Sequence, residues 1–123
     1  MARIYLAIVG ILYLLLSAWC SLQPAKTATS IGFDLRPGSG QSEYFTVYGG
    51  LQLALGIVFL LPLVRPDFVS ASLLTCLIVH ASLAMMRTIS LLLYGGITNP
   101  TWYFFATEWI LFLATLGIWW KSR

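Results

Sequence analysis

Apolar residues in this chain run on in long blocks; they neither alternate nor recur at a helical period. The first block, Ile4 to Leu22, is opened by Arg3 and closed by Gln23-Pro24. A polar stretch follows, and then three more blocks end or restart at Val64, Tyr94 and Trp120. A spanning helix needs about 20 mainly apolar residues, so each block is long enough to cross a bilayer. The pattern predicts helices over about 4–22, 44–64, 67–94 and 101–120, with 23–42 as a loop. Pro24, Pro37 and the Gly38-Ser39-Gly40 cluster are the loop signals. Pro62 and Arg65-Pro66-Asp67 end the second span, and Gly95-Gly96 with Asn99-Pro100 separate the third from the fourth. The first block is longer than the core of a secretion signal and lacks a small-x-small cleavage pattern, so it is read as a retained helix. The expected fold is an all-α, integral membrane four-helix bundle forming a single domain over 1–123.

Composition agrees with that pattern: 59% of the 123 residues are hydrophobic and 9% charged, far below the roughly 25–35% charged residues of a soluble surface. The remainder is too short for a second folded domain. The formal net charge of +3 belongs to helix flanks and calls for no nucleic acid. With an even number of spans both termini share a side, which carries Arg3, Arg65, Lys121 and Arg123; the opposite side has only Lys26 and Arg36. The positive-inside rule places both termini in the cytoplasm and 23–42 outside it. Trp19, Tyr44, Tyr94, Trp102, Trp119 and Trp120 fall near helix ends, as interfacial aromatics do.

Depth can be counted along each helix at about 1.5 Å per residue. Arg87 lies seven positions before Tyr94 and Glu108 seven after Thr101, so both charges sit roughly 10 Å below the same boundary. One isolated charge at mid-membrane costs about 2.5–3.5 kcal/mol even on lenient scales, so the two are expected to pair. Gln52 falls near that level, with Tyr48 one turn above it and Glu43 at the rim. Tyr13 and Ser17 on the first span and Ser90 on the third have comparable depths, which gives a candidate polar pocket of Tyr13, Ser17, Glu43, Tyr48, Gln52 and Ser90 around the Arg87–Glu108 pair. His80, two turns before Arg87, is a hydrogen-bonded interior histidine or a proton relay. One histidine does not make a metal site, and Cys20 and Cys76 lie at opposite depths with no C-x-x-C, so no metal, cofactor or disulfide is expected. Gly49, Gly50, Ala54 and Gly56 put small residues four and seven apart on the second span, the spacing by which membrane helices approach closely. A small-residue stripe also suggests a homo-oligomer.

Glu43, Tyr48-Gly49-Gly50, Gln52 and Gly56 spell E-x-x-x-x-Y-G-G-x-Q-x-x-x-G, followed by Arg87-x-x-Ser90, Gly95-Gly96 and a mid-helix Glu108. Over nearly its whole length the chain resembles a bacterial family of small four-helix inner-membrane proteins catalogued as a domain of unknown function. Relatives often carry a basic residue soon after the first Glu, where this chain has Tyr44, Phe45 and Thr46. The resemblance implies the four-helix fold and a membrane location, and no reaction. Four functions then compete. The pair fixes helix register; the pocket holds a lipid or small amphiphile; Glu108 and His80 form a proton or ion path in a transporter or channel subunit; or Glu108 is the acid/base of a membrane enzyme.

Overall fold

The computed structural model describes all of residues 1–123 and contains helices, turns and no strands. α1 is Ala2–Leu22. Pro24 then starts a short helix, α2 (Pro24–Ser30), inside the segment expected to be a loop. Proline at the first helical position loses no bond and is preset in φ, so it opens a helix as readily as it closes one. Thr27, Thr29 and Ser30 donate back to the carbonyls of Gln23, Ala25 and Lys26. Gly32, at φ 88, ends α2: its N–H bonds Thr29 O and the Phe33 N–H bonds Ala28 O, the paired Schellman closure.

The second span, α3 (Ser39–Val64), begins five residues before the expected Tyr44. Gln41 Oε1 accepts from the Gly38 N–H at 3.2 Å, capping the start. Tyr44, expected in an interfacial belt, turns inward instead: its hydroxyl donates to Thr27 Oγ1 at 2.9 Å and it stacks on Tyr48 at 4.5 Å. Between Phe45 and Leu51 the span winds as a π-helix before resuming α geometry. A 3-10 turn (Pro66–Phe68), closed by the Arg65–Asp67 ion pair at 3.0 Å, leads into α4 (Val69–Leu93). α5 is Asn99–Lys121, with Pro100 again in the first turn.

These helices give four segments long and apolar enough to cross a membrane, so both termini lie at one end of the bundle and α2 at the other. α1 lies along α3, and the contact is closest where Gly10 faces Gly56: a Cβ on Gly10 would stand 2.8 Å from Leu60 Cγ and 3.1 Å from Gly56 O. Gly49 packs against Ser21 in the same seam. Gly50 and Ala54, expected to join that packing, face outward instead, because the contacting face of α3 is set by Gly49 and Gly56. Arg3 donates to Pro62 O and Leu63 O, supplying a cation to the carbonyl end of α3. α4 packs on α3 and α5, whereas α5 packs extensively on α4 alone. Only 19 of 123 residues are buried, around Leu6, Val9, Tyr13, Phe59, Leu73 and Cys76, so the bundle turns most of its apolar surface outward, as a lipid-solvated protein does.

Candidate functional site

The site is built on a floor at mid-bundle. Phe59 of α3 and His80 of α4 are both 0% exposed, their rings stacked at 6.4 Å with 29° between the planes. Tyr13 of α1 meets Phe59 edge-on at 5.5 Å, and its hydroxyl lies 3.2 Å from His80 Nε2. His80 Nδ1 faces the Cys76 carbonyl at 2.8 Å. A carbonyl only accepts, so Nδ1 carries the hydrogen; in the neutral ring Nε2 is then an acceptor, and Tyr13 donates to it. Both ring nitrogens are thereby engaged within the protein.

From that floor α3 and α4 rise in step toward the α2 end. Gln52 is seven residues from Phe59 and Arg87 seven from His80, two turns or roughly 10 Å in each case. Since the two rings face each other, the two polar side chains are brought to one level on facing helices. α5 supplies Glu108 there. Arg87 Nε donates to Glu108 Oε2 at 3.0 Å and Nη2 to Oε1 at 2.8 Å, a bidentate fork in which both carboxylate oxygens are used. The guanidinium carbon lies 5.8 Å from the Phe104 ring, one turn along α5. Tyr48, a turn above Gln52, stacks with Tyr44 at 4.5 Å and meets Phe33 edge-on at 5.7 Å, an aromatic group above this level.

Two polar groups at this level are left over. Gln52 Oε1 is buried and has no hydrogen-bond partner, the one such side-chain atom in the protein. Arg87 makes no protein hydrogen bond through Nη1, and 31% of its side chain is exposed against 13% for Glu108. The exposure is in keeping with the topology, in which α5 leans on α4 and makes no extensive contact with α3.

The other expected pocket residues lie elsewhere. Tyr13 belongs to the floor. Ser17 donates to Gly49 O at 2.7 Å and so serves the α1–α3 seam. Ser90 donates to Arg87 O, its own i−3 carbonyl, as serines inside helices commonly do. Glu43 stays exposed at the rim and takes no part. Tyr5 and Thr115, which the sequence pattern does not mark, extend the polar interior toward the termini together with Cys76: the Tyr5 hydroxyl lies 2.6 Å from Thr115 Oγ1, and Cys76 Sγ lies 3.6 Å from the same oxygen. This seam ties α1, α4 and α5 together. Nothing in the local pattern marks it, but Tyr5, Cys76 and Thr115 are the polar or sulfur-bearing residues one would seek at the depth below His80.

Neither Arg87 nor Glu108 lines either of two surface cavities. One of about 320 Å³ is a lateral groove between α4 and α5, walled by Ala81, Ala84, Met85, Trp109 and Phe112; the other, about 210 Å³, lies beneath α2 beside Phe33 and Asp34.

Fold and site together define a polytopic, all-helical membrane protein with one ion pair held inside its spans. The chain belongs to the family described as Domain of unknown function (DUF4345), which matches residues 1–121. No curated protein and no solved structure matches it.

Proposed function

We propose that this protein is a membrane binding module that takes the polar head of a small amphiphile at the level of Gln52, Arg87 and Glu108, with the tail leaving between α3 and α5. The observation that carries the reading is the leftover groups at one depth: a buried Gln52 Oε1 with nothing to accept from on α3, and an Arg87 Nη1 with nothing to donate to on α4. Leaving a buried acceptor unsatisfied costs about 1–3 kcal/mol, and a ligand that supplies the missing donor recovers it. A few polar groups set in apolar walls are the usual make-up of small-molecule sites.

A charge pair that only fixed helix register would be best served by full closure, and this one leaves part of the Arg87 side chain exposed. Conduction of ions past His80 is opposed by the floor, where Phe59 and His80 are fully buried and Tyr13 bonds the imidazole. The excess of basic residues at the end with the termini, Arg3, Arg65, Lys121 and Arg123, supports cytoplasmic termini and with them a site in the outer leaflet.

The test is a thermal shift of the purified protein with an extract of its native lipids, together with mass spectrometry of what co-purifies. The parent protein is expected to be stabilised and to carry an amphiphile that Arg87→Ala and Gln52→Ala lose. Equal behaviour of parent and variants removes the reading.

A further inference from the structure

We infer that the amphiphile is uncharged and bears a hydroxyl or amide, of the acylglycerol kind, and that anionic lipids are excluded. The inference rests on the binding reading above and adds the chemical class of the ligand.

The charge balance of the site comes first. Glu108 spends both oxygens on Arg87, and Arg87 spends Nε and Nη2 on Glu108, so the site as built is neutral. An anionic head would enter with no uncompensated cation to meet it. His80 is two turns deeper with both nitrogens engaged, while Lys26 and Arg36 lie outside the spans. A cationic head would equally find Glu108 taken and Glu43 exposed at the rim, away from this level. Burying an uncompensated charge is far more costly than burying a neutral hydroxyl that finds partners.

The remaining groups set the hydrogen-bond pattern. Gln52 Oε1 only accepts, so the ligand must donate to it; Arg87 Nη1 only donates, so the ligand must accept from it. A single hydroxyl does both, and two neighbouring hydroxyls or a primary amide do so with less strain. Size follows from depth. Glu108 lies nine residues, roughly 13 Å, inside the start of α5, and the level sits beneath the stacked Tyr44 and Tyr48, a depth that suits a compact head and not a phosphocholine that belongs at the interface.

Three probes with the same acyl chain separate the outcomes: monooleoylglycerol, methyl oleate, which accepts but does not donate, and oleoyl lysophosphatidate. Binding is read by native mass spectrometry and by thermal shift at matched detergent. Monooleoylglycerol is expected to bind, methyl oleate to bind about two- to tenfold more weakly for want of one hydrogen bond, and lysophosphatidate at least tenfold more weakly. Gln52→Leu is expected to weaken monooleoylglycerol by about two- to tenfold, the equivalent of one hydrogen bond, and to leave methyl oleate unchanged. The variant removes an unpartnered acceptor, so its ligand-free melting temperature should not fall, which separates loss of binding from loss of fold. Methyl oleate equal to monooleoylglycerol would overturn the donor requirement. Lysophosphatidate binding tightest would overturn the neutral class while leaving a binding module in place. If none of the three binds, the binding reading itself falls.

Discussion

Arg87 and Glu108 are unequally sheltered, at 31% and 13% side-chain exposure, and this decides which of them is worse to strand. Removing one partner of a buried pair typically costs about 3–5 kcal/mol, because the other charge stays behind without compensation. Arg87→Ala leaves the better buried carboxylate and is expected near the upper end; Glu108→Ala leaves a half-open guanidinium near the lower end. The double replacement by Met, which leaves no charge, is expected to be milder than either. Reversible unfolding in mixed micelles ranks the three, and a double variant worse than both singles would contradict it. At the floor, Tyr13→Phe deprives His80 Nε2 of its donor and is expected to cost about 1–3 kcal/mol in the same measurement. Depth is legible in a sequence because the helical rise is fixed, whereas azimuth around the bundle is not. Counting residues puts Arg87, Glu108, Gln52 and Tyr48 near one level, but it puts Tyr13, Ser17 and Ser90 there as well. Only the packed structure turns Tyr13 to His80 and lets the two serines bond nearby carbonyls.

The four spans are written in the apolar blocks, and the structure has four helices there. What blocks of hydrophobicity do not specify is how each helix starts or which of its faces is used. Pro24 opens α2 in a segment that composition marks as loop, and the Gly38–Gln41 cap extends α3 outward. The π segment Phe45–Leu51 inserts extra residues into the winding, so a stripe counted at four residues, such as Gly50 and Ala54, drifts off the contact face while Gly49 and Gly56 keep to it. A direct contrast follows. Gly10→Ala places a methyl 3.1 Å from the Gly56 carbonyl as well as against Leu60, and forcing two helix backbones apart is expected to cost about 1–3 kcal/mol. Gly50→Ala meets nothing within 4 Å and is expected to be neutral or slightly stabilising, as glycine is a poor helix former. Thermal melts of the two variants in one detergent check the pair; equal losses would mean that α1 and α3 do not meet through Gly10 and Gly56.

At the scale of the whole molecule the placement of the site depends on which way the bundle faces. Four basic residues flank the spans at the end with the termini, against Lys26 and Arg36 at the other. Asp67 pairs with Arg65 there, yet acidic residues contribute little to orientation, so the bias stands at four to two. The expected topology is read with single cysteines. Ser122 and Thr29 are exposed at opposite ends, while the native Cys20 and Cys76 are buried and serve as a silent background. Ser122→Cys should resist a membrane-impermeant maleimide in intact spheroplasts and react once the membrane is opened, and Thr29→Cys should react in both. Replacing Lys121 and Arg123 with Ser levels the count at two against two, so a mixed labelling pattern is expected from that variant. Labelling of Ser122→Cys in intact cells would invert the bundle, moving Gln52, Arg87 and Glu108 to the cytoplasmic leaflet and the supply of their ligand to the inside of the cell.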